Sequence, residues 1–162
     1  VLRKNRSTIV RFGPLCYRDE IYEIYAEHSL SRFDKQSTVE DFLQNFYSPA
    51  WPALQVEYSV DNRLLGVGFL SASVEALSSV YFIYRDEAQA LSLGTFSVLA
   101  EVAHAFALGK PYYYLGYYLQ NNHHMAYKGR FFPHQQMSWT TGQWESVYGG
   151  TKPDEGCRKC ST

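Results

Sequence analysis

Cysteine is scarce: three in 162 residues, with Cys16 alone and Cys157 and Cys160 close together near the end. That excludes a disulfide framework and leads to the expectation of a reducing, cytoplasmic setting. Long apolar runs are missing. No stretch reaches the roughly 20 residues of a spanning helix, so no membrane partner is expected. No charged, apolar and small-residue series opens the chain, so no secretory signal is read. Val1 in place of Met points to an upstream portion missing or processed. Net charge is almost absent at −1, so any pull toward nucleic acid must come from a local patch. Arg3, Lys4, Arg6 and Arg11 form one candidate patch, Lys128 and Arg130 another. There is no internal repeat. The expectation is one domain over 1–148, then a flexible tail over 149–162 rich in Gly, Lys, Asp and Ser.

What is present is apolar and aromatic surface. Hydrophobic residues make up 46% and aromatics 17%, too much for a disordered chain and enough for a core. Thr8 to Phe12 reads as a strand ended by Gly13-Pro14. Ile21, Tyr22, Ile24 and Tyr25 recur at helical spacing, with Asp19 and Glu20 in the first turn, which predicts a helix over Arg18 to Leu30. Ser37-Thr38-Val39-Glu40 has capping-box spacing and predicts a second helix to Phe46. Leu54, Val56, Tyr58 and Val60 alternate as in a half-buried strand, and Asp61-Asn62-Arg63 turns it into Leu64 to Ser71. Gly66 and Gly68 mark a bulge or a close backbone approach. Ala76 to Tyr84 reads as a strand covered on both faces. A helix from Leu93 to Leu108 follows, with Phe96, Leu99, Ala103 and Phe106 on its apolar stripe and Ser97, Glu101 and His104 facing away. Gly109 suits its C′ position. Tyr112 to Tyr118 is expected as a strand, then a turn over Gln120 to His124 and a short helical segment through Tyr127. Phe131-Phe132 and Met137 to Trp144 are expected to add strands.

This order makes an α+β (layered α/β) fold: a central mixed, mostly antiparallel sheet with helices on both faces. It resembles the acyl-CoA N-acyltransferase (GNAT) fold. In that fold the helix after the central strand opens on Gln/Arg-x-x-Gly-x-Gly/Ala, whose N–H groups hold a pyrophosphate. Here the spacing reads Gln89-Ala90-Leu91-Ser92-Leu93-Gly94, with Ser92 in place of the middle glycine. A side chain there crowds a pyrophosphate lying on the backbone. The plain alternative is a helix start capped by Ser92.

Four motifs in the second half are more specific: Ser79-Val80-Tyr81, Ser92-Leu93-Gly94-Thr95, Tyr113-Tyr114-Leu115-Gly116-Tyr117-Tyr118, and Met125-Ala126-Tyr127-Lys128-Gly129-Arg130-Phe131-x-Pro133. In order and spacing they resemble the C-terminal domain of arginyl-tRNA–protein transferases and bacterial leucyl-tRNA–protein transferases. The resemblance covers roughly Leu2 to Trp139. It implies transfer of an aminoacyl group from the 3′ end of tRNA to the α-amine of an acceptor protein with an acidic N-terminus, as a mark for degradation. It implies no cofactor beyond the charged tRNA; an acyl-CoA such as acetyl-CoA is the donor under the alternative of an N-acetyltransferase. Family members carry an upstream cysteine-containing domain that is not seen here, which leaves open a non-catalytic binding relative.

The residues admit this chemistry. An amine attacking an ester needs a free amine, an oxyanion site and positioning, and no protein nucleophile. Ser92, Leu93, Gly94 and Thr95 offer N–H groups for an oxyanion or phosphate. Tyr117, Tyr127 and Lys128 are the candidate catalytic groups, the tyrosines bonding the leaving hydroxyl or stacking on the terminal adenine. Tyr81, Gly116, Arg130 and His124 are candidate substrate contacts, Arg130 toward phosphate or carboxylate. Each has a plainer reading. About half of the Tyr112–Tyr118 tyrosines point inward, Gly116 is a bulge, and Lys128 and Arg130 line a solvated edge. His123 and His124 sit in an exposed turn, and the Glu101–His104 pair is a surface contact. Cys157-x-x-Cys160 has metal spacing but only two ligands, so no metal is expected.

Overall fold

The computed structural model describes residues 1–122 and 125–149; His124, Cys157 and Cys160 lie outside them. The chain divides into two compact units, Val1–Gly116 and a second beginning at Tyr117.

The first unit is a five-stranded sheet in the order β1 (Ile9–Gly13), β2 (Ala53–Val60), β3 (Arg63–Ala72), β4 (Ala76–Tyr84), β5 (Tyr112–Tyr114). The first three pairings are antiparallel and the last is parallel. Asp61 and Asn62 turn β2 into β3 with φ of 49° and 63°. Asp and Asn tolerate that left-handed pair, which matches the twist of a hairpin. Between β1 and β2 run α1 (Asp19–Phe33) and α2 (Val39–Phe46); between β4 and β5 runs α3 (Leu93–Ala107). The alternation of side chains along the strands sends Val67, Phe69 and Ile83 to α1 and α2, where Ile21, Ile24 and Phe42 meet them fully buried. It sends Val56, Tyr58, Leu70 and Leu77 to the opposite face with Ala105 of α3. Gly109 at φ 68° ends α3, and its N–H and that of Lys110 return to Phe106 and Ala105. Those two bonds complete a Schellman cap.

Several expectations are corrected. The capping box lies one residue on. Thr38 Oγ1 accepts from the Asp41 N–H at 3.1 Å while Asp41 accepts from the Thr38 N–H. Ser37 is occupied instead by α1, whose Tyr22 and Tyr25 hydroxyls donate to it. β5 has three residues rather than seven. β4 is covered on both faces only in part: Ile83 is buried toward α1 and Leu77 toward α3, while Val80 is 54% exposed. α3 is turned from its expected face. Phe96 packs inward, but Leu99, Ala103 and Phe106 are exposed while Ser97 and Glu101 are buried. His104 is stacked on Phe12, ring centroids 3.7 Å apart.

Among the described residues the second unit holds a 3-10 turn over Ala126–Arg130 and a hairpin of β6 (His134–Met137) and β7 (Trp144–Val147). Met137 to Trp144 is thus mainly the connection between strands. The connection is closed by a Ser138 N–H to Gln143 carbonyl bond of 2.9 Å.

Candidate active site

The parallel partner of β4 is short. Pairing runs from Ala76↔Tyr112 to Ser78↔Tyr114 and stops, while β4 continues to Tyr84. From Ser79 onward, one edge of β4 therefore has backbone groups that β5 does not satisfy. On the other edge, Val80 is an extra residue: Phe69 pairs with Tyr81 and Leu70 with Ser79. A bulge of this kind re-aims the backbone and raises the local twist. The start of α3 packs over the same half of β4. Leu93 is fully buried with Leu65 and Ala88, and Phe82 and Tyr84 pack against them.

Ser92 precedes α3 with φ 56° and ψ 44°, and its hydroxyl makes no capping bond. It is therefore not an ordinary N-cap. It holds the left-handed conformation that glycine adopts freely, at a cost of order 1–3 kcal/mol for another residue. Its carbonyl accepts from the N–H groups of Thr95 and Phe96. The N–H groups of Leu93 and Gly94, first in the helix, have no intrahelical acceptor. A Cβ built on Gly94 meets nothing within 4 Å, so the backbone there is open to approach. The Gly94 N–H and the freed edge of β4 suit a carbonyl oxygen or an anion.

Behind them lies a group that sequence reasoning placed on the surface. Glu101 is 1% exposed. The Tyr58 hydroxyl donates to its Oε1 at 3.2 Å and the Tyr113 hydroxyl to its Oε2 at 2.5 Å. Burial pushes its carboxyl up to about 7, against the two phenol bonds that favour the carboxylate. Tyr58 is raised in turn, by burial and by Glu101. A Cβ at position 68 would stand 3.1 Å from Glu101 Oε1, so Gly68 keeps the space the carboxylate fills. Gly66 and Gly68, read as a close approach, were the signal available. Tyr81 lies on the opposite face, half-buried and stacked on Phe46 at 5.3 Å. Gly116 follows β5 at φ 75°, outside any strand, and so is not a bulge.

The other candidates belong to the second unit. Lys128 Nζ donates to the Tyr117 carbonyl at 2.9 Å, and desolvation lowers its pKa. Tyr117, 71% exposed, stacks on Trp139 with ring centroids 5.8 Å apart and planes 22° apart. Trp139 escaped the sequence reading because the contact joins residues 22 apart with no shared periodicity. Tyr127 meets Phe131 edge-on. Arg130 is exposed. A Cβ at Gly129 would sit 2.8 Å from the Tyr118 hydroxyl, so the Tyr118 ring lies close over the turn and would shift for a larger residue.

A family described as arginine-tRNA-protein transferase, C terminus, matches residues 18–138. The chain is 32% identical over 145 residues to the aspartate/glutamate leucyltransferase of Nitrosococcus oceani, covering 84% of this chain and 60% of that protein. It is 31% identical over 151 residues to that of Alkalilimnicola ehrlichii, covering 90% and 62%. Against arginyl-tRNA–protein transferase 1 of Dictyostelium discoideum it is 35% identical over 101 residues, 59% of this chain and 16% of that one. The chain thus spans about 60% of the length of the leucyltransferases it matches. Among solved structures, an acetyltransferase of Bacillus subtilis in complex with CoA aligns with a TM-score of 0.55 at 17% identity, covering 80% of this chain and 78% of that one. That likeness shows the fold: an α+β GNAT fold. Among the described residues no helix is long and apolar enough to cross a membrane.

Proposed function

Because the chain belongs to the arginine-tRNA–protein transferase family, we propose that it performs aminoacyl transfer from charged tRNA to the N-terminal α-amine of an acceptor protein. The match over residues 18–138 carries this reading. The names of the relatives, aspartate/glutamate leucyltransferases, support an acceptor that begins with an acidic residue.

The reaction is aminolysis of an ester. The acceptor amine, with a pKa of about 7.7–8.0, is partly deprotonated near neutral pH, so its lone pair is available without a strong base. It attacks the carbonyl carbon joined to the terminal ribose. The carbon–nitrogen bond forms, the carbon–oxygen bond breaks, and the proton lost from nitrogen ends on the ribose hydroxyl. Charge develops on the carbonyl oxygen in between. The open N–H group of Gly94 and the freed backbone of β4 are the groups suited to that oxygen; one such donor is commonly worth 10²–10³ in rate. Tyr117 with Trp139 offers a ring surface to the terminal adenine, where stacking is worth about 1–3 kcal/mol per base. Arg130 offers charge to phosphate, and Lys128 fixes the chain at Tyr117. The reaction as proposed uses no cofactor beyond the charged tRNA, and that donor suits a cytoplasmic setting.

Labelled aminoacyl-tRNA incubated with the protein and a peptide beginning with Asp or Glu tests the reading. Label should move to the peptide, and Arg130→Ala should cut the rate about tenfold while the circular dichroism spectrum stays unchanged. No transfer from either leucyl- or arginyl-tRNA would refute the reading. The left-handed Ser92 turn favours one alternative, an acyl-CoA donor held at the start of α3. Saturable binding of acetyl-CoA by calorimetry, without tRNA-dependent transfer, would establish it instead.

A further inference from the structure

Ser92 holds a backbone conformation that a side chain disfavours, and such a residue persists only where its surroundings impose it. Its own N–H supplies one constraint, donating to the Gln89 carbonyl at 3.1 Å. Another comes from far away in sequence. The 3-10 turn Leu2–Asn5 lies against the residues that lead into Ser92, and its one buried residue is Asn5, 3% exposed. Asn5 Nδ2 donates to the Leu91 carbonyl at 2.8 Å, and Lys4 Nζ donates to the Ala90 carbonyl at 3.1 Å. Both bonds join residues 86 apart. The family match over residues 18–138 does not reach Asn5.

The Asn5 side chain is engaged at both ends. Nδ2 also donates to the Val1 carbonyl at 3.0 Å, and Oδ1 accepts from Thr8 Oγ1 at 3.1 Å. The Thr8 bond fixes which end of the amide points at Leu91. What the amide holds there is one planar peptide group, Leu91 to Ser92. Asn5 binds its oxygen, and Gln89 accepts from its nitrogen. On the far side of Ser92, the Leu93 side chain is fully buried with Leu65 and Ala88. Ser92 is thus held between a fixed peptide plane and a fixed side chain. With the Leu91 carbonyl released, that plane is free to turn, Ser92 is free to leave the left-handed region, and the first N–H groups of α3 turn with it.

We propose that Asn5 is a positioning residue for the transfer: through the Leu91 carbonyl it holds the Ser92 turn, and so it aims the Gly94 N–H. The proposal rests on the transferase reading for what that N–H does in the reaction, and on the Asn5–Leu91 bond for how it is aimed.

The test is Asn5→Ala in the full chain, with two readouts. In transfer from leucyl- or arginyl-tRNA to a peptide beginning with Asp, kcat should fall about tenfold while KM for donor and acceptor stays within about twofold, because a misaimed oxyanion donor is felt only in the transition state. In a Ser92→Gly background the same change should cost no more than about twofold in kcat, since glycine adopts the left-handed turn without support. In amide hydrogen exchange, Asn5→Ala should speed the Ser92 and Thr95 amides about tenfold and leave the Ala105 amide, late in α3, unchanged. A loss of kcat that persists undiminished in the Ser92→Gly background, or a loss of protection spread evenly along α3, would make Asn5 an ordinary prop of the fold and overturn the proposal. Wild-type kcat or wild-type exchange at Ser92 would overturn it too. Should Asn5→Ala not fold, Thr8→Val decides: it keeps Asn5 but frees its amide to turn, and should move both readouts the same way by about threefold, whereas no movement would overturn the proposal. Failure of the transferase reading would show separately, as no transfer by the wild type from either charged tRNA, and exchange at Ser92 would still report whether Asn5 holds the turn.

Discussion

α1 and α3 are both 15 residues long and pack on opposite faces of one sheet, yet only α3 buries a carboxylic acid side chain. α1 buries Ile21, Ile24 and Tyr25 at helical spacing, with His28 and Ser29 beside them, and buries none of its acids. α3 buries Ser97 and Glu101 beside Leu93, Val98 and Ala105, and leaves Phe106 85% exposed. The difference lies in the strands beneath. Under α1 the sheet offers Val67, Phe69 and Ile83. Under α3 it offers Gly68, a hole rather than a side chain, with phenols from Tyr58 and Tyr113 beside it. A carboxyl with two donors and room for its oxygens can be buried; a phenylalanine would clash there. Helical periodicity reports which residues share a face, and the partner determines which face goes in.

The largest effect should come from α1. Ile24 is fully buried. Ile24→Ala should cost about 2–5 kcal/mol in urea unfolding, through lost transfer energy and the cavity left behind. A loss under 1 kcal/mol would show that the helix does not anchor that face.

The next effect distinguishes the polar core from the apolar one by pH. The ordinary carboxyl value is 4.5, and burial raises Glu101 to about 7 in the folded protein. The fold thus favours the protonated acid. Its contribution is complete below 4.5, is lost as pH rises toward 7, and levels off above. The full span corresponds to about 3 kcal/mol. His104, one turn on, is shifted down by desolvation and acts with the opposite sign, losing stability as pH falls. The difference between wild type and Glu101→Gln cancels it. That difference should change by about 3 kcal/mol between pH 4.5 and 8, with the variant gaining relative stability at the alkaline end. A pH-independent difference would mean that Glu101 ionises as an exposed acid does.

The same contrast explains what was legible in the sequence. Local chemistry was readable: the period-2 strand through Tyr58, the Asp61-Asn62 turn, the stop at Gly109 and the bounds of β4 follow from neighbours in sequence. So did the family, because its motifs are short and contiguous. The capping box was misplaced by one residue because Ser37 and Thr38 are equally good caps, and only the tyrosines of α1 choose between them. The bulge at Val80 left no trace in a run of apolar residues. β5 was read too long because Tyr112 to Tyr118 keeps strand composition throughout, while its pairing with β4 ends at Tyr114. Ser92 was readable as a departure from glycine but not as a residue kept in glycine's conformation. In each miss the deciding partner is distant in sequence, or is backbone that carries no sequence signal.

The smallest expected effect is the most discriminating. Phe106 belongs to the stripe of Phe96, Leu99 and Ala103 that periodicity places in the core, and removing a core phenylalanine costs about 3–5 kcal/mol. At 85% exposure its ring has little burial to lose. The bonds at this end of α3 run through the Phe106 backbone carbonyl to Gly109, which a side-chain change leaves in place. Alanine also has the higher helix propensity, by a few tenths of a kcal/mol. Phe106→Ala should therefore shift stability by no more than about 0.5 kcal/mol in either direction. A loss near 3 kcal/mol would restore the apolar stripe to the interior, and Glu101, five residues earlier on the opposite side of the helix, would then have to face water.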